Sequence, residues 1–91
     1  MTDANDTQQQ FPLGLASRGF AGVIHRIAAA DAGSALPDVE LESRLIEMGF
    51  VEGAQVEVLH EGAVGRDPIA VRVQNITVAL RRREAMAVIV V

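Results

Sequence analysis

The chain has 91 residues, enough for one small domain in which every buried side chain counts. Eight basic against twelve acidic side chains give a net charge of -4, the wrong sign for a protein that gains affinity by neutralising phosphates, so nucleic acid is not an expected partner. There is no cysteine, which removes disulfides, thiolate metal sites, iron–sulfur clusters and cysteine nucleophiles together.

The opening MTDANDTQQQ has neither a basic start nor an apolar run, so it reads as neither a secretory signal nor a membrane anchor. Residues 1–19 carry little apolar periodicity and read as a mobile tail, in which FPLGLAS docks at most loosely. Residues 20–27 (FAGVIHRI) read as a strand. Simple alternation places Ala21, Val23, His25 and Ile27 on one face and buries His25; a one-residue bulge instead sets Ile24 and Ile27 on a common side and turns His25 to water. The pattern is compatible with both. Residues 28–37 (AAADAGSALP), with Gly33, Ser34 and Pro37, read as a connection into a helix.

That helix is short and well marked. Asp38 is the expected N-cap, Glu40 places negative charge where the helix dipole favours it, and Glu40 and Arg44 stand four apart in the favourable orientation. Leu41, Leu45 and Met48 form its apolar stripe. Gly49 ends it in the left-handed conformation, and Phe50 is placed to fold back onto Leu45. Val51-Glu52-Gly53 follows as a type II turn with Gly53 at its third place. Beyond Gly53 the period changes to two: Val56 and Val58, then Ile69, Val71 and Val73, then Ile76, Val78 and Leu80 each share a face. Gln74-Asn75 is a tight hairpin connection with Asn75 left-handed, residues 62–68 (GAVGRDP) are a longer loop, RRREA is one helical turn, and residues 88–91 are a last strand. Five short strands around one helix and one helical turn make a mainly β fold, a small closed barrel, because closure removes exposed edges. The longest apolar run, AMAVIVV, falls far short of the roughly 20 residues of a spanning helix, so a soluble domain is expected.

RLIEMGFVEGAQVEV, the loop GAVGRDPIAVRV and the ending ITVALRRREAMAVIVV, taken in order, resemble the FeoA family of bacterial ferrous iron uptake. The resemblance spans residues 20–91. It implies an SH3-like β-barrel, a cytoplasmic setting, and a FeoB-type membrane permease, GTP-dependent and specific for ferrous iron, as partner. It also implies kinship with the C-terminal module of metal-dependent repressors, so a stand-alone regulatory domain is the alternative. Three positions depart from the family pattern. Glu52 replaces a frequent proline, Ala63 and the extra Arg66 leave a looser loop, and Asn75 takes a usual glycine position.

The chemistry is sparse. His60, Glu61 and Asp67 are the one grouping that resembles a metal site, yet neighbouring strand residues point opposite ways, and the expectation is at most weak transition metal ion binding. Ser17, Ser34 and Ser43 lack the setting of a nucleophile, and with no lysine there is no phosphate-binding loop of the usual kind; the protein is not expected to be an enzyme or to carry a cofactor. Arg81, Arg82 and Arg83 read as a solvated turn, moderated by Glu84. Three Phe and no Trp or Tyr cannot line a groove for proline-rich peptides, with Phe50 spent on the helix cap, Phe20 on the barrel and Phe11 in the tail. The C-terminal AVIVV reads as a core strand, or as a pairing edge if it lies outermost. Function therefore rests on binding, and the expected partner surface is the loop (Ala63, Val64, Gly65, Arg66, Asp67, Pro68) with the helix-to-strand corner (Met48, Phe50, Val51). Gly49, Gly53 and Asn75 are assigned to shape.

Overall fold

The computed structural model describes residues 9–31 and 36–91; residues 1–8 of the expected tail and Gly33 and Ser34 of the expected connection lie outside these. The elements are β1 (Phe11–Pro12), a 3₁₀ turn (Leu13–Leu15), β2 (Ala21–Ile27), a 3₁₀ turn (Ala29–Asp31), α1 (Asp38–Glu47), β3 (Gln55–Glu61), β4 (Ile69–Val73), β5 (Ile76–Leu80), α2 (Arg82–Ala85) and β6 (Val88–Val90). Six strands form one antiparallel ladder in the order β1-β6-β2-β3-β4-β5.

β3, β4 and β5 follow from their period. Val56, Val58, Ile69, Val71, Val73 and Leu80 are buried, while the residues between them on the other face are exposed or half-buried. β2 is the strand that bends the sheet. Ala21, Gly22 and Val23 pair with β3, whereas Ile24, Arg26 and Ile27 pair with β6, and the register shifts between Ile24 and Arg26. The bulge settles the two readings of this strand. Ile24 enters the core, Ile27 packs against it, and His25 faces water.

The ladder stops at β1 and β5, so it is an open, strongly bent sheet of the small SH3-like type, not a ring of hydrogen bonds. α1 and its cap are joined to the segments on either side of β5. Arg44 on the helix pairs with Glu84 just beyond β5, at 3.6 Å, and the Gln74 side-chain amide just before β5 donates to the Gly49 carbonyl at 3.0 Å. Leu41, Leu45 and Phe50 pack from this side into the strand core.

Several local expectations change. Residues 11–16 belong to the fold, not to a tail: Phe11 and Pro12 pair with Val90 and Ile89, Leu13 and Ala16 are buried, and the Phe11 ring meets Phe20 edge-on at 5.1 Å. Asp38 is the first helical residue and makes no capping bond; the Pro37 carbonyl instead accepts from the Leu41 N–H. Arg44 pairs with Glu84, not Glu40. In the β4–β5 turn the left-handed residue is Gln74, at φ 53°, not Asn75. The C-terminal strand is internal, between β1 and β2.

The corner forms as its sequence dictates. Phe50 N–H donates to the Leu45 carbonyl at 3.0 Å and Gly49 N–H to the Ile46 carbonyl at 2.9 Å, the two bonds of a Schellman cap. Gly49 has φ 105°, and a methyl there would meet nothing closer than 3.6 Å. The cost of Gly49→Ala is therefore backbone strain alone, about 1–2 kcal/mol. Thermal unfolding is expected to drop by several degrees, with partner binding by the folded fraction retained; an unchanged midpoint would contradict this account of the cap. Ala54 N–H closes the next turn onto the Val51 carbonyl at 3.0 Å, with Gly53 at φ 85°, and Gly53 N–H and the Ala54 carbonyl clamp Ile24.

Candidate functional site

Residues 62–68 join β3 to β4, and Gly62 N–H donates to the Pro68 carbonyl at 2.8 Å to close the neck of the loop. Beneath it lies Arg82, at the first position of α2 with a side chain only 19% exposed. Its Nη2 donates to Glu61 Oε2 at 2.6 Å, Nη1 to the carbonyls of Ala16 (2.7 Å) and Gly14 (3.0 Å), and Nε to the Arg66 carbonyl at 2.7 Å. Its backbone N–H donates to Asp67 Oδ1 at 2.9 Å. The planar guanidinium thus binds the end of β3, the base of the loop and the N-terminal 3₁₀ segment at once, using charge-assisted bonds. Gly14 is glycine because the chain passes against α2: a Cβ would overlap the Arg82 carbonyl and the Met86 side chain.

This overturns two expectations. Arg82 is a half-buried hub and not part of a solvated turn, although Arg81 and Arg83 are exposed. The loop is held at Arg66 and Asp67 instead of being loosened there. Only its tip is free: Ala63 and Gly65 are exposed and Val64 is 87% exposed. Nothing in the run of three arginines marks its middle member; only in the fold does it share a side of the helical turn with the buried Ala85 three residues on.

The metal candidates are spoken for. Glu61 neutralises Arg82, Asp67 caps the start of α2, and His60 is exposed. Among the described residues no group of three or more His, Asp or Glu side chains is placed to hold a metal ion. A shallow groove of about 780 Å³ lies on β2, β3 and β4, but it is crossed by the Glu57–Arg72 pair at 3.7 Å and holds no reactive group.

The partner candidates divide into two patches. The corner meets Gln74 after β4, and the loop precedes β4, so the length of that strand separates them. Phe50 is completely buried and presents nothing to a partner; Met48 is half-buried against the core; Val51 is 37% exposed. Arg66 and Pro68 are exposed beside the loop tip, and Asp67 is half-buried.

A bent, open six-stranded antiparallel sheet with one helix packed on its core defines a small SH3-like domain. The FeoA domain matches residues 11–91, and the chain belongs to the FeoA family. It is 31% identical to the Stenotrophomonas maltophilia FeoA, crystallised with zinc and described as a prokaryotic SH3 domain protein proposed to activate ferrous iron transport; the match covers 89% of each chain with a TM-score of 0.71. It is 30% identical to the Chlorobium tepidum FeoA protein over 88% of this chain and 68% of that one, with a TM-score of 0.68. A manganese-dependent transcriptional repressor shares the fold at 22% identity and a TM-score of 0.72, over 97% of this chain and 46% of the repressor. A comparison with curated protein sequences gives no match.

Proposed function

We propose that the protein is an accessory factor of ferrous iron uptake that works by binding the cytoplasmic part of a FeoB-type, GTP-dependent membrane permease. Family membership supplies the setting. The observation that carries the binding mode is the loop: an apolar tip, Val64, is displayed on a base fixed by Arg82, which suits recognition without a large ordering cost. The corner at Val51 is a second contact at the other end of β4. The mechanism is association and not turnover, since no nucleophile, base and oxyanion donor converge anywhere among the described residues. No described helix is long and apolar enough to cross a membrane, so contact with a membrane permease falls to this folded surface. The regulatory-domain alternative has only the shared repressor fold in its favour.

Titration of the immobilised cytoplasmic domain of a cognate permease, with GDP and with a non-hydrolysable GTP analogue, tests the proposal. Binding is expected in at least one nucleotide state, with Val64→Asp about tenfold weaker, ~1.4 kcal/mol, at an unchanged melting temperature. Absence of binding in both states overturns it.

A further inference from the structure

Among the described residues seven large apolar side chains are exposed, and three of them, Ile46, Val51 and Ile76, belong to segments that converge on Gly49. The Ile46 carbonyl accepts from the Gly49 N–H; the Gly49 carbonyl accepts from the Val51 N–H at 2.9 Å and from Gln74 Nε2 at 3.0 Å. Ile76 lies directly opposite Val73 across the hairpin, on the same sheet face, and the Val73 methyls would lie 3.8 Å from a Cβ at Gly49. Ile46, Val51 and Ile76 are 46%, 37% and 58% exposed. Glu42, one turn before Ile46, and Glu47 and Glu52 are exposed around them, and none of the three makes an ion pair. The neighbouring cation, Arg44, is turned away to Glu84.

We infer that this corner is a docking patch for a basic amphipathic helix of a partner protein, its apolar side chains on Ile46, Val51 and Ile76 and its Lys or Arg residues on Glu42, Glu47 and Glu52. Charge complementarity selects the partner: an apolar centre with a rim of unpaired carboxylates matches apolar side chains flanked by cations and repels an acidic surface. Geometry selects a helix. The patch is built of side chains on α1, on the turn that follows it and on the first residue of β5, and not of a strand edge. A compact three-point patch matches side chains spaced three and four apart on one helical face. The inference rests on the corner being a partner surface and adds the chemistry of what it takes.

The test is a residue-resolved NMR titration of the full chain with the helix-forming peptide LKKLLKLLKKLLKL and with its Glu counterpart LEELLELLEELLEL. The Lys peptide is expected to shift amides within residues 42–53 and 74–77. Its affinity for the folded protein should fall about tenfold in the double variant Ile46→Ser, Ile76→Ser, measured well below that variant's melting temperature. It should also weaken severalfold on raising salt from about 50 to about 300 mM. Shifts centred elsewhere, or equal binding of the Glu peptide, overturn the inference. So do corner amides that move with protein concentration alone, because a second copy would then be the occupant. Failure of the permease domain to bind removes the proposed partner, whereas failure of the peptide to map here removes this patch and leaves the loop contact standing.

Discussion

Arg82→Ala is expected to lower the free energy of unfolding by about 3–5 kcal/mol. The substitution leaves the Glu61 carboxylate four-fifths buried without its counter-ion, and strips the carbonyls of Gly14, Ala16 and Arg66 of their shared donor. Unmade hydrogen bonds at acceptors partly shut off from water, here those of Gly14, Ala16 and Glu61, cost more than the bonds themselves are worth, and a domain of this size commands only about 5–15 kcal/mol in total. Arg82→Lys is expected to recover only part of the loss, because one ammonium cannot span donors directed at four separate acceptors. Urea unfolding measures both variants. Hydrogen exchange supplies the signature of a hub: amides of residues 11–16 and of the loop 62–68 should lose protection together, since one side chain holds both. A loss below about 1 kcal/mol, or exchange confined to the loop, would contradict the role assigned to Arg82.

Phe50→Ala is the second large effect, also about 3–5 kcal/mol. The ring is fully buried between α1 and the strand core, and its removal opens a cavity behind the Schellman cap, where Leu45 and Leu41 are tied to a helix that cannot collapse inward without breaking the Gln74–Gly49 bond. Phe50→Leu should cost much less, because most of the volume is kept. The distinction bears on function. Phe50 reads in sequence as a member of the corner's contact surface, yet its burial predicts that any loss of binding will only track the unfolded fraction. A stable, folded Phe50→Ala protein that no longer binds would show the reverse.

The parts of the fold that were legible in the sequence are those governed by local rules. The 3.6-to-2 change of period around Gly53, the glycine stop and the type II turn need only residues within a few positions of one another, and all form as expected. Long-range partners decide the rest. FPLGLAS has no alternation and reads as tail, but Leu13 is held by the core and the Gly14 and Ala16 carbonyls by an arginine 66 to 68 residues away. Three consecutive arginines are identical as letters; only the facing of α2 makes the middle one a hub. Likewise Asn75 is the better left-handed residue by propensity, yet the turn gives that conformation to Gln74, whose side chain thereby reaches Gly49. Of the residues expected at a partner surface, Val64 and Val51 are exposed and Phe50 is not, and the division of the rest into two patches follows from where β4 lies.

The most direct test of the central claim, that this FeoA-family chain acts by docking its loop and corner on a permease, is an amide chemical-shift map of the full chain titrated with the permease's cytoplasmic domain. Perturbations are expected to cluster at residues 48–53 and 63–68, with residues 21–23 and 55–57 of the groove and the exposed His25 unaffected. Perturbations centred on residues 21–23 and 55–57, or none at saturating permease, would contradict it.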